Sequence, residues 1–117
     1  MDLPEAIDCC LRLKGGEETA PFGPDVLVYK VAGKMFALAG IRNEVPEMNL
    51  KCDPDRALEL RDRYEGIKPG YHMSKKHWNT ASIDGSVPGA LVREMIQESD
   101  DLVVAGMTLK QRELLEG

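Results

Sequence analysis

One stretch of the sequence, residues 68–79, holds most of the side chains that could do chemistry. It contains both histidines, the only tryptophan, a Pro-Gly turn and three lysines, and it contains no acidic residue. Rings interleaved with cations are typical either of a polar anchor that fixes a turn against a sheet, or of a surface that binds an anionic partner such as nucleic acid. Both interpretations are open from composition alone.

The lysines are the candidates for binding, because amines of this kind contact phosphates. Three lie in the stretch and two more lie at a predicted hairpin. The rings are assigned instead to an internal anchor that fixes the Pro-Gly turn and starts the following strand. The predicted nucleic-acid-binding residues are Lys30, Lys34, Lys68, Lys75 and Lys76, and the predicted structural motif is Pro69, Tyr71, His72, Met73, His77 and Trp78.

Metal binding has little support in the sequence. His72 and His77 are five residues apart, which puts them on the same face of neither a helix nor a strand. No zinc-ligand spacing of the H-E-x-x-H or C-x-x-C type occurs. The three cysteines, Cys9, Cys10 and Cys52, form no disulfide framework and are interpreted as small hydrophobic residues of a reducing compartment. We therefore predict no metal.

Catalysis has similarly weak support. Nothing local places any candidate nucleophile beside a histidine and a carboxylate, although such triads are assembled in space. The candidates are Ser74, Ser82, Ser86 and Cys52. The Gly15-Gly16 pair follows a predicted helix instead of opening one, so it does not form a phosphate-binding loop. We therefore predict that the protein is not an enzyme and uses no cofactor. A pocket around the two histidines is the catalytic alternative.

Length and charge limit the possibilities further. The 117 residues predict a single domain spanning residues 1–117, and the net charge of −5 argues against a surface that attracts nucleic acid everywhere. The charge is uneven, because residues 1–25 and 84–117 each carry −4 whereas residues 26–83 carry +3. No apolar run is long enough to span a membrane and the first residues are acidic, so we expect a cytoplasmic protein.

The hydrophobic pattern predicts an α+β fold in the order α-β-β-β-α-β-α-α. Helices are expected at about residues 2–14 and 53–66, near Pro88, and after the Thr108 capping box, with Ser99 capping a short turn or helix of its own. Strands are expected at 26–31, 35–41, 47–52 and 78–83. Helices set apart from an antiparallel meander predict a sheet of about four to five strands with helices packed on one face.

The sequence also resembles a known family, the MmcQ/YjbR proteins of bacteria. The resemblance rests on the segment from Pro69 to Trp78, the Asp84-Gly85 turn with its Pro88-started helix, and the hairpin at residues 28–37. It extends over nearly the whole chain. It implies a CyaY-like α+β fold and a DNA-binding protein in which loops of the sheet contact DNA.

Together these observations predict a non-enzymatic cytoplasmic protein that binds DNA through basic loops of the central sheet region. The alternative is a protein-interaction or accessory module that binds no nucleic acid. The expected partner is thus DNA or another protein, with neither a membrane nor a small-molecule substrate inferred.

Overall fold

The computed structural model describes residues 1–116 as six antiparallel strands and four helices. The elements are α1 (Leu3–Arg12), β1 (Gly16–Thr19), β2 (Val26–Val31), β3 (Lys34–Arg42), β4 (Val45–Lys51), α2 (Pro54–Arg63), β5 (Ile67–Pro69), β6 (Trp78–Ser82), α3 (Gly89–Ala105) and α4 (Leu109–Glu116). The strands lie side by side in the order β1-β2-β3-β4-β6-β5. The predicted α+β class is confirmed. The short edge strands β1 and β5 are additional to the four predicted.

Three helix starts follow the capping signals in the sequence. The Asp2 side chain accepts a hydrogen bond from Glu5 N at 2.9 Å, and each of the first two helices has a proline in its first turn. At α4 the capping box is complete, since Thr108 Oγ1 accepts from Gln111 N at 3.2 Å and Gln111 Oε1 accepts from Thr108 N at 3.0 Å. These bonds satisfy backbone N–H groups that would otherwise lack partners.

The sheet register separates one buried face from one open face. Ala39, Met48, Ala81 and Ile67 lie opposite one another across four strands and are all buried in the core beneath the helices. Alternate residues of a strand point to opposite faces, so the neighbouring row points away from the helices. We call that second side the open face; its central row is Val28, Leu38, Asn49, Thr80 and Lys68.

A β-bulge in β3 is tied to the middle of α3. The pairing of β2 with β3 shifts by one residue at Phe36, and the Ser99 hydroxyl donates to the Phe36 carbonyl at 2.5 Å. The same hydroxyl accepts from Lys51 N at 2.9 Å. The prediction of a separate turn or helix capped by Ser99 is therefore wrong. Its hydroxyl bonds to the sheet instead of to its own helix, and α3 continues through it.

Within residues 1–116, no helix combines the length and the apolar character that crossing a membrane requires.

Candidate nucleic-acid interface

The segment between β5 and β6, residues 70–77, carries Lys75 and Lys76; we call it the basic loop. Its two ends are joined by a hydrogen bond from Gly70 N to the Trp78 carbonyl at 2.9 Å. A Cβ atom on Gly70 would lie only 2.8 Å from the Cβ of Trp78. Glycine is therefore needed here for close approach of the two ends, which explains the Pro-Gly signal in the sequence.

The first residues of the basic loop are held against the open face. Tyr71 N donates to Thr80 Oγ1 at 2.9 Å, and the Tyr71 carbonyl accepts from Asn49 Nδ2 at 3.2 Å. The Thr80 hydroxyl in turn donates to Asn49 Oδ1 at 2.6 Å. Both polar side chains are buried and satisfied, so this network fixes where the loop leaves the sheet.

The far end of the basic loop is held by Arg61 of α2. Its Nε donates to Asn79 Oδ1 at 2.6 Å, and its Nη2 donates to the Trp78 carbonyl at 3.2 Å and to the Lys75 carbonyl. A planar guanidinium can reach three separated acceptors at once, whereas the three donors of an ammonium all leave from one nitrogen. Arg61 therefore positions the backbone beside Lys75 without occupying its amine.

We expect Arg61→Lys to lower the free energy of unfolding by about 1–2 kcal/mol, because lysine cannot keep all three charge-assisted bonds. Urea denaturation measures the change, and amide hydrogen exchange should rise in residues 70–77. Arg63→Lys is the matched control, since Arg63 lies on the same helix, is exposed, and meets Glu59 only at 4.0 Å. Equal stability of the two variants would contradict the assigned role.

The rings of the basic loop are not buried. Tyr71 is 45% exposed, and His72 and His77 are also exposed. The prediction that these rings form an internal anchor is therefore wrong, because the backbone of the loop, not its rings, makes the anchoring hydrogen bonds. Of the other predicted motif residues, Pro69 is exposed in β5, and Met73 and Trp78 are half-buried.

Three side chains lie against one another at the start of the basic loop. The Arg42 guanidinium carbon lies 4.0 Å from the centre of the Tyr71 ring, and the His72 ring lies 4.1 Å from it, tilted by 55°. Arg42 is itself fixed by Glu47, through Nε to Oε1 at 2.7 Å and Nη2 to Oε2 at 2.9 Å. His72 has a φ of +57°, a left-handed conformation that non-glycine residues seldom adopt.

Beside Tyr71 the open face forms a cleft of about 230 Å³, which we call the open-face cleft. Val26, Leu38 and Gly40 are among its lining residues, as are Ile41, Arg42 and Asn49. The sequence did not lead us to predict this cleft. The available signal was that Arg42 precedes the two-residue Asn43-Glu44 turn and Glu47 follows it by three residues, which places the opposite charges diagonally across the hairpin.

The structure does not bring the five predicted lysines together into one cluster. Lys30 and Lys68 both belong to the open face, but four strand spacings of about 4.8 Å separate them, or roughly 19 Å. Lys30 also lies opposite Glu17 on β1, which partly offsets its charge. Lys34 pairs with the buried Val31, and it lines a groove at the C-terminal end of α3.

The three lysines around the basic loop form a smaller group. Lys68, Lys75 and Lys76 are all exposed, and the Lys75 amine makes one long contact of 3.4 Å to the Gly70 carbonyl. No acidic residue lies between Gly66 and Ile83 in the sequence. This group is therefore the strongest candidate for contacting phosphates.

Two of the three thiols, Cys10 and Cys52, are buried and do not offer a nucleophile. Burial raises the pKa of Cys10 to about 12 and that of Cys52 to about 11, so both stay protonated near neutral pH. Their burial agrees with the interpretation as small hydrophobic residues. Among residues 1–116, no three His, Cys, Asp or Glu side chains are grouped so that they could hold a metal ion.

A second cleft, of about 430 Å³, lies between α3 and α4. Asp100 lines it, is 9% exposed, and buries an Oδ1 atom that has no hydrogen-bond partner among the described residues. Burial raises the pKa of this carboxyl above its ordinary 3.8, and the charge of Asp101 raises it further. A charged Asp100 therefore opposes folding.

We expect Asp100→Asn to be more stable than the parent at pH 7. A carboxyl whose pKa is higher in the folded state binds more protons there, so its unfavourable contribution grows as pH rises above 3.8 and is absent below it. Urea denaturation from pH 3.5 to 7 should show the advantage of the variant shrinking at the acidic end. Asp62→Asn, an exposed change on α2, is the control, and an equal pH dependence in both variants would refute the effect.

Comparison with known proteins gives a consistent picture. The family model described as YjbR matches residues 11–102. The uncharacterized protein YbdF of Escherichia coli O157:H7 is 42% identical over 92 residues, which are 79% of this chain and 75% of that protein. The uncharacterized protein YjbR of Escherichia coli K12 is 27% identical over 115 residues, 98% of both chains.

Solved structures show the same architecture. The crystal structure of Deinococcus radiodurans protein DR2400, a DUF419 family-model domain, superposes with a TM-score of 0.90 at 37% sequence identity. The match covers 98% of this chain and 88% of that one. The near-complete coverage shows that all the described layers of helix and sheet are common to the two proteins.

Proposed function

The chain belongs to the YjbR family, and from this premise we propose that it is a non-enzymatic DNA-binding protein whose basic loop contacts the phosphate backbone. The proposal rests above all on one observation: both ends of the basic loop are held by the sheet and α2, while Lys75 and Lys76 are exposed to solvent. A held backbone presents these cations with little loss of conformational freedom on binding.

The distribution of charge also supports the proposal. A net charge of −5 would repel DNA over most of the surface. The basic segment around the loop is then the side that DNA can approach. Binding through it should be weak and should show little sequence preference, because lysines at phosphates do not read bases.

Fluorescence polarisation with a labelled oligonucleotide tests the proposal directly. We expect the logarithm of the binding constant to fall linearly with the logarithm of salt concentration, with a slope of about −1.4 to −2.7 for two or three phosphate contacts. A chain that binds neither single-stranded nor duplex DNA at about 10 mM salt would refute the proposal.

The alternative function is a protein-interaction module, and the open-face cleft favours it. Ile41 at the rim of that cleft is 67% exposed, although it is large and apolar. This alternative predicts that Ile41→Ser leaves DNA affinity unchanged. It gains support only if DNA binding is absent and the same variant abolishes binding to a protein partner.

A further inference from the structure

The open-face cleft and the basic loop adjoin each other, and Tyr71 belongs to both. The cleft has an apolar lining from Val26, Leu38 and Ile41, and its one close charge pair, Arg42 with Glu47, is neutral overall. A phosphate would gain no net electrostatic attraction in such a site. A flat, uncharged ring with polar edges would bury its faces there, since small-molecule sites combine apolar walls with a few fixed polar groups.

We propose that the protein binds single-stranded nucleic acid by seating one unpaired base in the open-face cleft, with the adjoining phosphates on the lysines of the basic loop region. This inference rests on the proposed DNA binding and names the form of the ligand. Single-strand sites generally combine a basic track with aromatic side chains on which bases stack.

The size of the cleft favours one base. Its 230 Å³ lies below the range of roughly 300–1,000 Å³ that drug-sized ligands occupy, so a whole nucleotide cofactor does not fit while a single ring system does. The Tyr71 ring is itself covered by Arg42 and His72, which lie within 4.1 Å of its centre, so the Arg42 guanidinium, which lines the cleft, is the planar group against which a base would stack. Base recognition in single strands uses both aromatic rings and guanidinium planes.

The backbone of the strand has cations within reach. Lys68 lies in the same row of the open face as Asn49 of the cleft, two strand spacings away, or roughly 10 Å. The four-carbon stem of lysine lets its amine reach toward a phosphate next to the bound base. A polar group is also present in the lining, where the Arg42–Glu47 pair can face the edge of the base.

A duplex cannot use this site, because its bases are paired and stacked and their faces are hidden. The acidic surface also disfavours the high charge density of double-stranded DNA more strongly than that of a single strand. The cleft therefore predicts a preference for the single strand at equal length.

The test is a polarisation titration of the whole chain with three labelled probes: a single-stranded oligothymidine, an abasic strand of equal length, and a duplex. We expect the oligothymidine to bind tightest. Tyr71→Ala removes the ring that supports the Arg42 guanidinium, so it should weaken oligothymidine binding by about 5- to 150-fold, the range for one base stack. The salt slope should not change, because every phosphate contact remains. The abasic strand should bind the parent and the variant equally.

Two further variants separate recognition from folding. Tyr71→Phe keeps the ring and should keep the affinity, and Phe22→Ala removes an exposed ring that does not line the cleft and should change nothing. Thermal unfolding of each variant checks its fold. Equal affinity of the parent for all three probes would overturn the single-base site while leaving the proposed phosphate contacts intact. Failure of every probe to bind would overturn both proposals.

Discussion

Replacing Ser99 by alanine is expected to lower the free energy of unfolding by about 2–4 kcal/mol. The change removes the hydroxyl that donates to the Phe36 carbonyl and accepts from Lys51 N, and it leaves two polar backbone groups without that partner. An unsatisfied buried polar group costs about 1–3 kcal/mol, and Ser99 itself is fully buried. Urea denaturation, with the midpoint and the slope fitted separately, measures the change.

Ser74→Ala is the control for this prediction, since Ser74 is exposed in the basic loop and the same atom is deleted there. It should change stability by less than about 0.5 kcal/mol. Ser99→Cys provides a second comparison. A thiol is a weak donor and acceptor, so this variant should be more stable than Ser99→Ala but less stable than the parent. A Ser99→Ala protein as stable as the parent would show that the bulge needs no partner from α3.

The structural role of Ser99 also shows why sequence reasoning divided α3 in two. Serine is favoured at helix starts, and the sequence Glu98-Ser99-Asp100-Asp101 carries no apolar residue, so the local pattern indicated a break. The helix continues because the Ser99 hydroxyl satisfies a bulge on β3, 63 residues earlier in the chain. A local pattern cannot predict a partner at that distance.

The strands that were predicted and the strands that were missed differ in their composition. β2 and β3 are rich in β-branched, aromatic and aliphatic residues, and their pattern predicted both strands and the hairpin between them. β1 has the sequence Gly-Glu-Glu-Thr and β5 only three residues, Ile67–Pro69. Edge strands with charged or proline residues resist pairing with other chains, and those same residues weaken the strand signal.

The candidate site was predicted in its residue types but not in its arrangement. Clustering of lysines and rings identified the basic loop, and the resemblance to the MmcQ/YjbR proteins identified the family. The exposure of the rings could not be derived, because Arg61 and Asn49 bind the loop through its backbone carbonyls, and carbonyls are identical in every residue. The separation of Lys30 from Lys68 likewise depends on strand order, which pairs β6 with β4 before β5.

Reversing the charge of Lys75 and Lys76 together is expected to have the largest effect on binding. One lysine–phosphate interaction in water is worth about 1 kcal/mol, so Lys75→Glu with Lys76→Glu should weaken DNA binding by about 30-fold or more at low salt. The salt slope should become shallower by about 1.5–2, because two fewer counterions are released. Polarisation titrations from about 10 to 200 mM salt measure both quantities.

The matched control is Lys14→Glu with Lys110→Glu, which changes the net charge by the same amount at exposed positions outside the basic loop. If DNA responds only to the total charge of the chain, both double variants lose affinity equally and the basic loop is not the interface. If the loop is the interface, the control variant keeps the salt slope of the parent. It loses only a little DNA affinity, through long-range repulsion, which salt screens beyond about 10 Å. The slope thus distinguishes direct binding from repulsion, which affinity at a single salt concentration cannot do.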